Sequence, residues 1–312
     1  MKQITVHAPA TVANIVCGFD VLGLALNEPY DKLVMRLLPE KTIRIINKDQ
    51  YNLPVEPEKN VYGGALLAMM KELDDNIGFE IESTKNIMPG SGIGSSAASA
   101  AGVVVGANHL LNNRFSKADL VRFATYGEQV ASGARHADNI APCIYGGVTL
   151  IRSNDPLDII PLNFPPLYVT VIHPQIEVKT SDARQILKKQ ILLKDAITQW
   201  GNVAGLVAGF MKEDYELIGR SLHDVLIEPV RSMLIPGFDE LKKRSIETGA
   251  LGGGISGSGP SVFMLSKDEA TAKKVEQAMR NVYEKIGVDF HIHLTTVNNQ
   301  GVTIHEGPTL TH

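Results

Sequence analysis

The chain has few of the features that build a disulfide scaffold, a zinc site or a nucleic-acid-binding surface. Its 312 residues include only two cysteines and one tryptophan. Cys17 and Cys143 cannot form a disulfide framework, and they cannot complete a four-ligand zinc site without histidine. Acidic residues outnumber basic ones by 34 to 30, so the net charge is −4. No overall basic field therefore attracts nucleic acid or anionic lipid, and we expect neither as a partner.

The chain also lacks a long hydrophobic run. Residues 86–113 contain no Asp, Glu, Lys or Arg, but Pro89, several glycines and the pair Asn112 and Asn113 interrupt them. Eighteen consecutive apolar residues do not occur, so a membrane-spanning helix is excluded. The first residues carry neither the apolar segment nor the cleavage pattern of a signal peptide. We therefore expect a cytoplasmic protein.

What the chain does have is a mixture of strand and helix patterns. Hydrophobic residues make up 44%, which is ample for a core and argues against disorder. Helices are predicted near residues 60–73, capped by Asn60, and 116–132, where Ser116 and Asp119 resemble a capping box. Other predicted helices cover residues 95–111, 195–212, 236–249 and 267–287. Strands are predicted at residues 4–8, 32–39, 42–47, 78–84, 146–151, 167–174 and 290–297, with 32–39 and 42–47 forming a hairpin.

The order of these elements favours the α+β class, because strands and helices do not alternate strictly as they do in a doubly wound sheet. The length suggests two domains. Turn-rich breaks at residues 153–158 and 163–166 place the boundary between them. We therefore predict domains at residues 1–160 and 161–312.

The first motif with chemical content is PGSGIGSSAASAAG, residues 89–102. Glycines can expose backbone N–H groups to an anion, and the following helix adds the positive end of its dipole. Two serine hydroxyls at the helix start can bind phosphate or Mg²⁺. The motif lacks the lysine of a Walker A loop and the acidic residue of a Rossmann fingerprint. It is either a phosphate-binding loop or a small-residue helix packed tightly against a sheet.

A second glycine-rich segment, GGGISGSGP, covers residues 252–260 and leads into a strand. Five glycines in nine positions cost conformational entropy, which favours a close approach of the backbone to a ligand over a simple turn. Because the two glycine-rich segments fall in different predicted domains, we expect a ligand between the domains.

Two further segments place polar residues in apolar surroundings. In residues 8–26, Asn14 and Asp20 stand among Ala, Val, Leu and Gly, and Asp20 either caps a turn or has a cationic partner. Residues 127–147 contain Glu128, Arg135, His136, Asp138 and Asn139. The His and Asp pair is weak evidence for a metal site, and Glu128 is either a surface charge or a Mg²⁺ ligand. Arg184 and Arg231 are, by default, solvated or salt-bridged.

Together these motifs resemble the GHMP kinase superfamily over nearly the whole chain. The motifs APATVANIVCGFD, PGSGIGSSAAS and GGGISGSGPSVFML occur in the order typical of that superfamily. Within the superfamily the chain is most similar to the homoserine kinases. That similarity rests on ANIVCGFDVLGLAL, RHADNIAPCIYGG, TSDAR and EPVRSMLIPG.

The resemblance implies a fold and a set of site residues. The N-terminal domain would resemble domain 2 of ribosomal protein S5, the C-terminal domain would be ferredoxin-like, and the protein would form a homodimer. The cofactors would be ATP and Mg²⁺, with Ser96 and Glu128 holding the metal and Asn139 also placed at the reaction centre. The nucleotide would contact Pro89, Gly90, Ser91, Gly92, Ile93, Gly94, Ser95, Ser96, Ala97 and Ala98, supported by Gly257 and Gly259. The homoserine pocket would consist of Asn14, Asp20, His136, Asp138, Asn139, Arg184 and Arg231.

Two departures from the family pattern affect the mechanism. Asn139 stands where mevalonate kinase-like members carry an aspartate base, and an amide cannot take a proton at neutral pH. Ile15, Val16 and Cys17 replace a more usual Leu-Gly-Pro, which could alter the loop that carries Asp20. Ile93 for Leu is conservative. Cys17 is expected to be a small buried residue and not a nucleophile.

The activity that the resemblance implies is ATP-dependent phosphorylation of the side-chain hydroxyl of L-homoserine, a step of threonine biosynthesis. The alternatives are another small-molecule kinase of the same superfamily and a non-catalytic metabolite sensor on the same fold. Intact Ser96 and Glu128 argue against the sensor, which does not need Mg²⁺ ligands.

Overall fold

The computed structural model describes residues 3–178 and 180–306. Their strands form two sheets, and the first has the order β11-β1-β2-β4-β3. Strand β5 joins this sheet by pairing with the beginning of β2 and with β6. The seven strands of the first sheet are β1 (Gln3–Ala13), β2 (Leu22–Leu38), β3 (Ile43–Asn47), β4 (Gly78–Thr84), β5 (Val148–Asn154), β6 (Leu157–Leu162) and β11 (Thr303–Glu306).

The second sheet has four antiparallel strands, in the order β10-β7-β9-β8. Helix α9 (Phe238–Glu247) precedes β8, and α10 (Glu269–Ile286) connects β9 to β10. This βαββαβ succession confirms the ferredoxin-like arrangement that the resemblance implies. The strands are β7 (Tyr168–Pro174), β8 (Gly252–Ile255), β9 (Val262–Ser266) and β10 (Phe290–Thr296).

The remaining helices fall into two groups along the chain. In the first part, α2 lies against β1 and β2 and also contacts α1 and α3. The helices of this group are α1 (Val61–Met70), α2 (Ser95–Leu110), α3 (Lys117–Ser132) and α4 (Ile140–Tyr145). The later group comprises α5 (Thr180–Gln185), α6 (Leu193–Lys212), α7 (Tyr215–Ser221) and α8 (Glu228–Arg231).

Small residues let α2 approach the first sheet closely. A Cβ atom on Gly106 would lie 2.4 Å from the sulfur of Met35, and one on Gly102 would lie 2.9 Å from the Cβ of Ala8. The helix body therefore packs tightly on a sheet, as the second alternative for this motif predicts, and the beginning of the helix borders a pocket. Phosphate binding by the loop stays a prediction.

The two predicted helix caps, Asn60 and Ser116, are confirmed. The side chain of Asn60 accepts a hydrogen bond from the backbone N–H of Tyr62 at the start of α1. Ser116 and Asp119 form a full capping box at the start of α3, in which each side chain accepts from the other residue's backbone N–H. Each cap satisfies donors that the first helical turn leaves unpaired.

Two predicted connections are wrong. Strands β2 and β3 do not form a hairpin, because β3 pairs in parallel with β4, and β4 in turn pairs with β2. The error arises because a short turn suggests a hairpin, whereas pairing depends on which neighbour offers a matching apolar face. Residues 252–255 form strand β8 and not a loop, since their backbone pairs with β9 despite three glycines.

The two sheets do not divide the chain at residue 160, the predicted domain boundary. Strand β6 continues to Leu162, and β11, at the end of the described chain, pairs with β1 in the first sheet. The boundary itself stays a prediction. In the described ranges, no helix is long and apolar enough to cross a membrane.

Candidate active site

A cavity of about 410 Å³ collects most of the predicted site residues. It is bordered by residues from both halves of the chain, from Asn14 before β2 to Ser258 after β8. Of the predicted residues, those lining it are Asn14, Asp20, Pro89, Gly90, Gly92, Gly94, Ser95, Ser96, Glu128, His136, Asp138, Asn139, Arg184, Arg231 and Gly257.

The loop before α2 has the backbone of an anion-binding site. Gly90, Gly92 and Gly94 all have positive φ angles, of 77°, 84° and 72°. A Cβ on Gly94 would lie 2.0 Å from the hydroxyl oxygen of Thr11, so only glycine fits there. The first N–H groups of an α-helix lack partners within the helix, and Ser95 and Ser96, with which α2 begins, line the cavity.

The second glycine-rich segment supports the first loop from behind. The Ser256 hydroxyl donates to the carbonyl of Gly92 at 2.8 Å, and the Ser261 hydroxyl donates to that of Ser91 at 2.6 Å. A Cβ on Gly92 would lie 2.5 Å from the Gly259 oxygen. The glycines therefore allow two backbones to touch, which connects the two sheets at the site.

Five predicted nucleotide contacts do not line the cavity: Ser91, Ile93, Ala97, Ala98 and Gly259. The side chains of Ser91, Ile93, Ala97 and Ala98 are buried. The carbonyl of Ile93 accepts from the N–H of Thr11 at 3.1 Å, which ties the loop to β1. These residues shape the loop from inside the fold.

Glu128, on α3, lines the cavity together with Ser96. Its Oε2 atom is shielded from solvent and has no hydrogen-bond partner among the residues that the structure describes. Burial raises the pKa of its carboxyl, although the nearby Ser96 and Ser132 hydroxyls favour its charged form. An unsatisfied, buried carboxylate oxygen suits a cation ligand. Over the described chain, no group of three or more His, Cys, Asp or Glu side chains is placed to hold a metal ion.

At another wall of the cavity, Asp20 and Arg184 form an ion pair. Arg184 Nη2 donates to both carboxylate oxygens of Asp20, at 3.0 and 3.1 Å. The Nδ1 atom of His136 lies 3.8 Å from Asp20 Oδ2. His136 Nε2 is buried and has no hydrogen-bond partner within the described ranges, and burial lowers the pKa of this imidazole. Of the two readings of Asp20, a cationic partner is the one observed.

Arg231, on α8, is buried and spans two parts of the site. Its Nε donates to the carbonyl of Ala183 at 3.0 Å, and its Nη1 donates to that of Gly257 at 2.9 Å. Phe19 lies beside both arginines, with its ring centre 5.0 Å from the Arg231 guanidinium carbon and 5.4 Å from that of Arg184. Burial, then the charge of Arg184, lowers the pKa of Arg231 to about 10.

Asp138 and Asn139 lie side by side at the start of α4. The Asn139 carbonyl oxygen Oδ1 accepts from the Thr11 hydroxyl at 2.8 Å, which leaves its NH₂ group as a donor for the cavity. Asp138 accepts from the backbone N–H of Asn139 at 3.1 Å. Burial, and then the neighbouring Asp20 and Glu128 carboxylates, raise the pKa of Asp138 to about 7.

The loop carrying Asp20 has an unusual backbone. Asn14, Ile15 and Val16 all have positive φ, of 71°, 40° and 66°, a region that branched side chains rarely enter. The Asn14 side chain fixes this loop by donating to Gly257 and accepting from the N–H of Asp20. Burial raises the pKa of Cys17 to about 12, so its thiol is not a nucleophile at neutral pH.

Sequence reasoning missed a buried ion pair under the loop. Lys85 lines the cavity, and its Nζ donates to Asp31 at 2.5 Å, to the Ser99 hydroxyl at 2.8 Å and to the Ser95 carbonyl at 3.2 Å. Burial disfavours its charge, but nearby Tyr62 and Asp31 outweigh that effect and raise the pKa of Lys85. In the sequence, the one feature that distinguishes Lys85 is its position directly before residues 86–113, which contain no Asp, Glu, Lys or Arg. The sequence spacing between Lys85 and Asp31 does not indicate that they pair.

A glycine-rich loop at a helix start, a buried carboxylate oxygen and an ion pair therefore border one cavity. The model of the GHMP kinases N terminal domain matches residues 60–147, and that of the GHMP kinases C terminal matches residues 206–285. The structure is therefore that of a GHMP kinase.

Individual relatives narrow this class. The homoserine kinase of Chloroherpeton thalassium is 46% identical over 97% of this chain and 100% of its own length, and that of Methanocella arvoryzae is 40% identical over 97% and 98%. The crystal structure of homoserine kinase from Cytophaga hutchinsonii superposes with a TM-score of 0.94, at 50% identity and 98% coverage of both chains. The chain belongs to the homoserine kinase family.

More distant structures share the fold alone. The mevalonate kinase of L. major, in complex with R-mevalonate, has a TM-score of 0.70 at 15% identity, covering 93% of this chain and 94% of its own.

Proposed function

We propose that the chain transfers the γ-phosphoryl group of ATP to the side-chain hydroxyl of L-homoserine, giving O-phospho-L-homoserine and ADP for threonine biosynthesis. The observation that carries this proposal is the Asp20 and Arg184 pair, 3.0 Å apart at the wall of the cavity that also holds Ser96 and Glu128. A zwitterionic amino acid carries an ammonium and a carboxylate group on the same carbon, so an adjacent carboxylate and guanidinium complement its two charges. The names of the relatives support the same substrate.

In this proposal each charge of the substrate replaces one partner of the pair. The substrate ammonium binds Asp20, or as a second choice Asp138. The substrate carboxylate binds Arg184 and Arg231. A planar guanidinium binds a carboxylate through two parallel hydrogen bonds, which an ammonium cannot do. His136 and Asn14 border the same end of the cavity. The hydroxyl then lies near Asn139, between the amino acid site and the phosphate loop.

The residues present fit a magnesium ion. The unpartnered Oε2 of Glu128 and the Ser96 hydroxyl are hard oxygen donors, and phosphate oxygens commonly complete such a site. When bound there, the ion would neutralise charge on the transferring phosphoryl group. The loop amides and the N-terminus of α2 supply further stabilisation, so a loop without lysine suffices.

We propose no dedicated base at Asn139. Because its amide oxygen accepts from Thr11, the group offered to the substrate is a donor, which orients the hydroxyl oxygen. The oxygen–phosphorus bond forms as the bond to ADP breaks, and the hydroxyl proton passes to a phosphate oxygen or to water. Because the transition state of phosphoryl transfer is loose, positioning of the reactants and charge neutralisation account for the rate acceleration.

The test is ADP release by the purified protein with Mg-ATP and one alcohol at a time: L-homoserine, L-threonine, L-serine, mevalonate or galactose. We expect L-homoserine to stimulate release most. Strong turnover of another alcohol, with none of homoserine, would keep the phosphate site and refute the amino acid pocket. No turnover with any of them would favour the sensor. We also propose that the protein acts in the cytoplasm as a homodimer.

A further inference from the structure

Helix α6 exposes an apolar stripe along its outer face. Leu193, Ile197, Trp200 and Met211 are 67%, 57%, 61% and 51% exposed. Ala204 is also exposed, and Val207 is half-buried. The spacing of these six residues alternates between four and three, which is the spacing of a helix–helix seam. We call these six residues the α6 stripe.

The α6 stripe is held rigidly by the opposite face of the helix. Leu206 and Phe210 are buried in the large core cluster. Gln199 donates to the carbonyl of Cys17 at 2.7 Å and accepts from the N–H of Val225 at 3.1 Å. The inner face, with the half-buried Val207 at the edge of the stripe, holds α6 against the core. Among the described residues, the other five members of the stripe belong to no core cluster.

The exposed area is large enough for a specific interface. Ile191 and Leu192, just before α6, are also more than half exposed. Together with the α6 stripe they expose on the order of 700 Å² of apolar side chain, close to the roughly 800 Å² that each partner buries in a standard interface. Contiguous apolar patches of this size on soluble proteins mark interaction sites.

The α6 stripe is complementary to itself. In an antiparallel pair of α6 helices related by a twofold axis near Asn202, Leu193 meets Met211 of the other copy, and Ile197 meets Val207. Trp200 meets Ala204, so the largest side chain lies against the smallest. Gly201, at the centre, has open space around it, so the backbones can come close. A twofold interface needs such a self-matching surface.

We infer that the α6 stripe is the interface through which two copies of this chain form an antiparallel, twofold dimer. A second copy is the occupant because every residue of the stripe then meets another of its residues, in a register that sets Trp200 against Ala204. The inference rests on the proposed homodimer and adds the surface through which it forms.

The single tryptophan makes this inference directly measurable. Sedimentation velocity should give twice 33.8 kDa at high protein concentration and 33.8 kDa after dilution. Over the same dilution series, Trp200 emission should shift to the red and acrylamide quenching should increase, because dissociation exposes the indole. Ile197→Lys should weaken dimerisation at least about a hundredfold, with red-shifted emission at every concentration.

A matched control is Ile246→Lys, on α9, where the native side chain is 47% exposed outside the stripe. Circular dichroism should be native for both variants, and Ile246→Lys should dimerise as the wild type does. A wild-type monomer at all concentrations would overturn the inference. A dimer that persists in Ile197→Lys, with Trp200 emission independent of concentration, would also overturn it, because the dimer would then use another surface.

Discussion

At the scale of single residues, the proposed division between metal binding and substrate binding depends on two carboxylates. Glu128 and Asp20 both lie at the wall of the cavity, but their surroundings differ. Asp20 is paired with Arg184, whereas Oε2 of Glu128 is buried with no partner in the described part of the chain. An unpaired, buried oxygen is costly unless a cation or a donor completes it. We therefore propose metal binding for Glu128 and substrate binding for Asp20.

Glu128→Gln tests that assignment. Because an amide oxygen is a weaker ligand for Mg²⁺ than a carboxylate, we expect kcat to fall at least about a hundredfold. Nucleotide binding measured without Mg²⁺ should hardly change. The exposed neighbour on the same helix, Gln129→Ala, is the control and should retain wild-type rates. Unchanged kcat in Glu128→Gln would remove Glu128 from the mechanism.

Arg184→Lys tests the substrate site. Lysine keeps the charge but loses the planar donor pair, so KM for homoserine should rise about ten- to a hundredfold while KM for ATP stays within about twofold. Lys188→Gln, a nearby charge change outside the cavity lining, is the control. Equal rises in both KM values would indicate a general disturbance of the fold, contrary to the proposed role.

At the scale of elements, the sequence predicted most helices well, because caps and glycine punctuation are local signals. Asn60 and Ser116 start α1 and α3 as their side chains predict. Strand pairing was harder to predict from the sequence, because β3 pairs with β4 through contacts between residues that are distant in the chain. The Lys85 and Asp31 pair was missed for the same reason: a buried charge pair is defined by three-dimensional proximity and leaves no periodic pattern.

Gly94→Ala tests the loop before α2. The added methyl would meet the Thr11 hydroxyl at 2.0 Å, in a backbone region that disfavours side chains. We expect a loss of about 3 kcal/mol in unfolding free energy and a large rise in KM for ATP. Gly90→Ala is the matched control, because its positive φ is similar but no atom lies within 4 Å. Its loss should be about 1 kcal/mol. Equal effects from urea denaturation would contradict the steric argument.

His173 on β7 makes the second sheet sensitive to acid. Burial, then the charges of His291 and His293 on β10, lowers the pKa of His173 to about 4. An unfolded histidine titrates near 6.5, so the unfolded state binds the proton first. Stability from the neutral imidazole is present above about pH 6.5 and is lost as pH falls toward 4.

His173→Gln should remove part of this dependence. Between pH 6.5 and 4, the unfolding free energy of the wild type should fall by about 2 kcal/mol more than that of the variant. Urea denaturation at several pH values measures the difference. Parallel profiles for the two proteins would mean that His173 titrates normally.

At the scale of the whole molecule, the site exists because two sheets meet through glycine-rich backbone. Arg184 and Arg231 come from the later half of the chain, whereas Asp20, Ser96 and Glu128 come from the earlier half. The sequence predicted these residues through motif resemblance, and the cavity brings them together. The hydrogen bonds from Arg231 to the carbonyls of Ala183 and Gly257 could not be predicted from the sequence. They depend on how α5 and the second glycine-rich segment pack together.

We propose that the acceptor is an amino acid whose ammonium and carboxylate groups both bind charged side chains of the cavity. The most direct measurement compares kcat/KM for L-homoserine, 4-hydroxybutyrate, which lacks the ammonium, and 3-aminopropan-1-ol, which lacks the carboxylate. We predict a loss of at least about a hundredfold for each analogue, because a charged partner in the pocket is left unpaired. Comparable kcat/KM for homoserine and either analogue would contradict it.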